Sequence, residues 1–124
     1  MTFPQFLEHV VLPGMENIHW EPYHKTCNPC QADYFAIGHL ETFAEDVEYI
    51  LNASNLHKYV SNVGWKHVTT NGSTNLWTEE YFSQVSCKLL TEIYNLYELD
   101  FELFGYDPSY YFSVCKDEKQ TQND

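Results

Sequence analysis

Histidines, cysteines and a run of hydroxyls hold most of the chemistry this chain could offer. His19 opens His19-Trp20-Glu21-Pro22. Imidazole titrates near neutral pH, so His19 is a candidate general base. Hydrogen bonding that merely orients its loop is the plainer role. Cys27-Asn28-Pro29-Cys30, with His19 and His24 nearby, could hold zinc. No second ligand pair at matching spacing follows, and His39, Cys87 and Cys115 would have to fold back. A redox pair needs its first Cys at a helix N-terminus after a strand. This pair follows a loop instead. A structural disulfide, within the pair or to another Cys, comes first, zinc second and redox third. Lys66, Thr69 and Thr70, beside Ser73 and Thr74, could donate hydrogen bonds to a nucleotide phosphate, but a solvated linker explains them more simply. Asn52-Ala53-Ser54 and Asn71-Gly72-Ser73 fit the N-glycosylation sequon, which makes Asn52 and Asn71 candidate glycan acceptors.

Charge narrows the partners. The formal net charge is −12, all six basic residues are Lys, and there is no Arg. Bidentate guanidinium clamps on phosphate or sulfate are therefore absent. So is the basic stripe a nucleic acid would require, and no nucleic-acid partner is expected. No Gly-rich phosphate loop opens a helix, and no Gly-x-Ser-x-Gly, His-Glu-x-x-His or EF-hand loop occurs. No apolar run approaches the ~20 residues a bilayer span needs. No signal peptide is visible at Met1-Thr2-Phe3-Pro4.

The elements that must position these residues can be read in outline. Phe3, Phe6, Leu7, Val10 and Val11 recur at helical spacing, and Pro13-Gly14 ends that helix. Residues 15 to 33 have no period and read as a long loop. Tyr34 to Leu40 is a short apolar run, the pattern of a strand buried on both faces. Thr42 with Glu45 forms a capping-box pattern that opens a helix with Phe43, Val47, Ile50 and Leu51 inward. Residues 56 to 77 are a polar connector. A long helix is expected from Thr78 to about Tyr97, followed by an apolar closing segment, Leu99 to Tyr106. Residues 107–124 read as a polar tail, and residues 1–106 as one domain or part of one.

Three separated blocks resemble a known family. They are His19-Trp20 with Cys27-x-Pro-Cys30; Tyr34, Gly38, Glu41-Thr42, Glu45-Asp46, Tyr49 and Leu51; and Tyr81-Phe82, Ile93-Tyr94, Tyr97, Asp100-Phe101, Phe104 and Tyr106. In order and spacing they resemble the C-terminal part of the Golgi carbohydrate sulfotransferases, especially those that sulfate chondroitin, dermatan and terminal N-acetylgalactosamine. The resemblance covers Phe3 to Tyr106 and about the last third of a full family member.

The resemblance implies an α/β fold like that of a P-loop kinase, mostly helical in this part, with Tyr34 to Leu40 among one or two core parallel strands. It implies transfer of sulfuryl from 3′-phosphoadenylyl sulfate (PAPS) to a hydroxyl of a glycan or proteoglycan acceptor, with N-acetylgalactosamine favoured and no metal. The family's PAPS-gripping motifs and membrane anchor lie upstream of anything matched here, so weak or no PAPS binding is expected of this chain alone. A Golgi-membrane protein facing the lumen is implied. Phe35 stands where the family usually has Asp, and His39 where it usually has a basic residue, often Lys. Both departures bear on acceptor specificity. Two other classes remain open: a non-catalytic lumenal glycan- or partner-binding module, and a small zinc-binding domain.

Overall fold

The structure is a computed structural model that describes residues 1–60, 63 and 74–117, with the backbone only for 74–76. It contains α1 (Phe3–Val11), α2 (Tyr23–Cys27), α3 (Phe43–Ala53), a 3-10 turn at Leu56–Lys58, α4 (Thr74–Phe82), α5 (Cys87–Phe104) and α6 (Ser109–Val114). The chain divides into two compact units, Met1–Gln31 with Ser73–Asp124, and Ala32–Gly72.

The first unit is built around α5. Helices α1, α2 and α6 pack on α5, and α4 packs on α6. Leu7, Val85, Leu89 and Leu90 form the core, flanked by Phe3, Phe6, Phe82, Ile93 and Tyr111. Helix α1 opens on a capping box: the Thr2 N–H donates to Gln5 Oε1 at 2.8 Å, and the Gln5 N–H donates to the Thr2 hydroxyl. Gly14, at φ +81°, takes the left-handed turn that follows α1.

The long helix expected from Thr78 to Tyr97 is two helices. Between them Val85 turns into the core with none of its surface exposed. Ser83 and Gln84 fold their side chains back onto the Glu80 carbonyl, at 3.2 and 2.7 Å, and so terminate α4. Ser86 then caps α5 by accepting from the Leu89 N–H at 3.1 Å. Helix α5 runs on through the expected closing segment to Phe104. Gly105 stops it at φ +70°.

Residues 107–117 are not a polar tail. The Asp107 carboxylate accepts from the Ser109 N–H and hydroxyl, which holds its pKa below the usual aspartate value and starts α6. Tyr111 packs its ring on Phe82 at 4.7 Å. A disulfide joins Cys115 to Cys87. The Lys116 N–H donates to the Val85 carbonyl at 2.8 Å, and the Cys87 N–H donates to the Lys116 carbonyl at 3.1 Å.

The second unit differs from its expectation. Residues 34–40 form no strand, and none occurs elsewhere among the described residues. A strand buried on both faces needs neighbours to satisfy its backbone and cover its side chains. Here Tyr34, Phe35, Ile37 and Leu40 are all exposed. Helix α3 forms where expected, but Phe43, Val47, Ile50 and Leu51 are half-buried, and α3 has no buried residue. Its N-terminus uses Asp46 rather than Glu45, as described below.

Candidate functional site

The loop before α2 meets α5 through a set of specific hydrogen bonds. The Tyr97 hydroxyl donates to the Trp20 carbonyl. Burial, and then the charge of Asp100, push the Tyr97 phenol above its ordinary pKa, so it stays a donor across the physiological range. The Trp20 indole N–H donates to the Met15 carbonyl at 3.0 Å. Its ring is half-buried, with Phe6 and His9 edge-on at 5.7 and 6.0 Å. Trp20 therefore fixes the turn after α1 and leaves part of its surface to solvent.

One turn along α5 lies Asp100, the buried acid among the described residues. Its carboxylate accepts from the Tyr23 N–H at 2.6 Å and from the His24 N–H at 2.8 Å. These are orphan donors of the first turn of α2, whose N-cap is Pro22. Asp100 thus caps another helix from across the unit. It also lies 2.8 Å from His24 Nδ1. Where Asp100 accepts from Nδ1–H, the ring leaves Nε2 as its acceptor nitrogen. Carboxylate-oriented imidazole is the arrangement from which general bases are made.

Beside this network runs an open groove of about 460 Å³, between the end of α1, the Trp20 loop and α5. Apolar side chains such as Val11 and Leu96 form part of its wall, and Glu21, Lys25, Glu92 and Asn95 supply polar groups.

The structure treats the candidate residues unequally. His19 lies in an exposed turn in which its own N–H donates to Asn17 Oδ1 at 3.0 Å, one residue before the Trp20 network and outside the groove lining. Cys27 and Cys30 are both exposed, and the structure shows no bond joining the one to the other. Cys27 ends α2, and Asn28 follows at φ +46°, a left-handed turn that starts a new direction of chain. The disulfide of this unit is Cys87–Cys115, a pairing the sequence reading did not single out. Among the described residues no three His, Cys, Asp or Glu side chains gather as a metal-holding group. Lys66, Thr69, Thr70 and Asn71 lie outside the described residues. Asn52 is exposed in the last turn of α3.

His24 with Asp100 is the arrangement that sequence reading missed. A signal existed. Leu89, Ile93 and Leu96 define the inward stripe of α5, and Asp100 continues it. An acid on an apolar stripe must find donors or pay desolvation.

In the second unit the blocks of the resemblance explain one another. The Asp46 carboxylate accepts from the Thr42 hydroxyl at 2.5 Å and from the His39 N–H at 2.8 Å. The Thr42 bond, then the His39 N–H, hold Asp46 below the usual aspartate pKa, with a smaller contribution from the charge of His39 opposing desolvation. A Cβ at Gly38 would stand 3.3 Å from Asp46 Cβ, so glycine keeps that approach open. Phe35 stacks on Tyr49, with ring centroids 6.2 Å apart.

A family model described as "Sulfotransferase family" matches residues 1–107. The chain belongs to the sulfotransferase family. Mouse carbohydrate sulfotransferase 12 is similar over 86% of this chain and 26% of its own length, at 32% identity. Carbohydrate sulfotransferase 10 of Xenopus laevis is 37% identical over 87% of this chain and 28% of its own length. Rat carbohydrate sulfotransferase 11 is 30% identical over 89% and 32%. The chain thus spans between a quarter and a third of the length of these relatives. No solved structure matches it. This sulfotransferase segment is mostly helical.

Its described residues do not fit the phosphates of PAPS. The first turn of α3 carries Glu45 and Asp46, and the whole chain has no Arg. Among the described residues no helix is long and apolar enough to cross a membrane.

Proposed function

We propose that this chain works as part of a PAPS-dependent carbohydrate sulfotransferase, on the lumenal side of the Golgi membrane, with an N-acetylgalactosamine-type glycan acceptor. The carrying observation is the family match over residues 1–107, shared with relatives named as carbohydrate sulfotransferases. The Cys87–Cys115 disulfide supports an oxidising compartment. The exposed Asn52 sequon suits a glycan there. A sugar hydroxyl attacks sulfur while the nucleotide phosphate leaves, so catalysis is chiefly positioning and charge stabilisation, with a base for the hydroxyl proton. The donor's phosphates would be gripped by parts of a longer protein, in a P-loop-like parallel sheet that residues 34–40 join as a strand. His19 remains a candidate base, and the half-buried Trp20 ring offers a surface on which a sugar could stack.

The test is sulfuryl transfer from labelled PAPS to an N-acetylgalactosamine-terminated oligosaccharide by the full-length gene product. Labelled glycan supports the reading, and its absence from a folded, PAPS-binding preparation overturns it. His19→Ala should lower kcat about 100-fold or more, with thermal stability nearly intact, if His19 is the base.

A further inference from the structure

The ties between α5 and the loop before α2 fix that loop more closely than packing does. We propose that Tyr97 and Asp100 are positioning residues for the acceptor sugar, acting through the His19–His24 segment that they hold. The inference rests on the carbohydrate reading above and deepens it. Neither residue touches the reacting atoms. Together they decide where the segment that meets the sugar stands.

Tyr97 and Asp100 are three residues apart and so share a face of α5. Their contacts grip the segment at two points. The Tyr97 hydroxyl donates to the Trp20 carbonyl. The Asp100 carboxylate accepts from the Tyr23 and His24 N–H groups and lies 2.8 Å from His24 Nδ1. Between the two points Pro22 is buried at φ −53°, with its backbone locked by its own ring. The backbone from Trp20 to His24 is therefore held in one path.

Stability alone is a poor account of this arrangement. Helix α2 has no buried residue, so apolar contact does little to seat it. Asp100 is 6% exposed, and desolvating a carboxylate offsets much of what its hydrogen bonds contribute. What the carboxylate supplies is direction. Charge-assisted hydrogen bonds fix the register and angle of a backbone, whereas apolar contact is non-directional.

The segment held in this way begins with the two residues that the proposed reaction draws on. The Trp20 indole N–H is committed to the Met15 carbonyl, and Phe6 and His9 stand edge-on to the ring. Trp20 therefore meets a ligand with its ring surface and not as a donor, and stacking depends on how that plane is set. Tyr97 sets it through the Trp20 backbone. His19 precedes Trp20 and shares the constraint. In-line attack on sulfur tolerates little error, since a misplacement of about 1 Å costs about 100-fold.

The test uses the full-length protein, PAPS and an N-acetylgalactosamine-terminated oligosaccharide, with glycan binding measured by NMR beside the kinetics. Tyr97→Phe removes one hydrogen bond and keeps the ring. It should lower kcat/KM for the glycan roughly tenfold, the scale of one hydrogen bond, and leave the KM for PAPS within about twofold. A purely structural loss reduces the amount of active enzyme and moves neither KM. Asp100→Asn, which keeps an acceptor oxygen, should retain more glycan activity than Asp100→Ala. A double-mutant cycle on glycan binding then asks whether Tyr97 acts through Trp20. In a Trp20→Leu background Tyr97→Phe should weaken binding by no more than about twofold further. Two full, additive losses overturn the inference, as does equal loss of PAPS and glycan affinity in Tyr97→Phe. Wild-type transfer with normal glycan use by Tyr97→Phe sinks this inference alone. Weaker glycan binding by Tyr97→Phe, in a protein that binds PAPS but never transfers, sinks the enzyme reading alone. A folded wild type that neither binds the glycan nor transfers to it sinks both.

Discussion

The two units of this chain are ordered by different means. The first buries Leu7, Val85, Leu89 and Leu90 and closes with a disulfide. The second, among its described residues 32–60 and 63, buries no side chain and is held by an aromatic stack and a polar helix N-terminus. Both contain apolar runs. Helices close onto one another within a short chain and so make a core alone. A strand buried on both faces cannot, because its neighbours must come from elsewhere. Apolar sequence is therefore no guarantee of burial: Leu40 is 69% exposed while Val85 is 0%.

The sharpest way to break this contrast is to place an acid in each region. Val85→Asp sets a carboxyl without partners into the core and should cost more than about 4 kcal/mol. Leu40→Asp should change stability by no more than about 0.5 kcal/mol. Thermal melts followed by circular dichroism compare them. Equal losses would mean that residues 34–40 are buried in solution and that the contrast is false.

Reduction comes next. Cys87 and Cys115 stand 28 residues apart. Closing a loop of that length stabilises by about 3–4 kcal/mol in the chain-entropy account. The paired substitution Cys87→Ala with Cys115→Ala should lower the first unit's stability by up to that amount and expose α6 to hydrogen exchange. The α3 amides should exchange as before. Mass spectrometry without reductant should recover the Cys87–Cys115 peptide pair, and recovery of a Cys27–Cys30 link instead would restore the expectation the structure corrects.

Asp100 tests how far polar contacts support the first unit. Asp100→Ala leaves the Tyr23 and His24 N–H groups without their acceptor and should cost about 1–3 kcal/mol. Amide exchange should rise in α2 and leave the Leu89–Leu90 turn protected. A variant that frays nothing in α2 would show that the cap contributes little.

These residues also mark what the sequence made legible. The Phe3–Val11 stripe, the start of α3 and the family were readable because each rests on local spacing or on ordered blocks. The break at Ser83–Ser86 was not, because Val85 and Leu89 keep helical spacing across it and only the Lys116 pairing to Val85 and Cys87 shows the interruption. Helix α6 is not legible because Ser109-Tyr110-Tyr111-Phe112 is a short apolar stretch that runs straight into polar residues. The Cys87–Cys115 pairing depends on that same tertiary return. His24 became visible only beside Asp100, 76 residues away. The oxygens that define the groove come from elements the sequence separates by about as much.

The smallest expected effect separates the units by pH. Asp46 is held below the ordinary aspartate pKa, chiefly by the Thr42 hydroxyl and then by the His39 N–H. A carboxyl with a depressed folded pKa contributes stability that is present above its unfolded pKa, about 4, and is lost as pH falls through the folded value. Tyr97 in the first unit is raised, by burial and then by Asp100. Its contribution is present below the unfolded pKa, about 10, and is lost as pH rises through the folded one. The α3 N-terminus should therefore loosen only in acid, and the Tyr97 tie to Trp20 only in alkali. Asp107 also titrates low, through Ser109, so acid should reach α6 as well, and the readout must be resolved by residue. A carboxyl-carbon NMR titration should place the Asp46 midpoint below the usual aspartate range. Thr42→Val removes the largest cause and should move the midpoint back up, while Gly38→Ala should do so partly by crowding Asp46 from the His39 N–H. An Asp46 midpoint at the ordinary value, unmoved by Thr42→Val, would mean that this polar N-terminus does not hold in solution. The second unit would then lack the contacts on which its order is argued to rest.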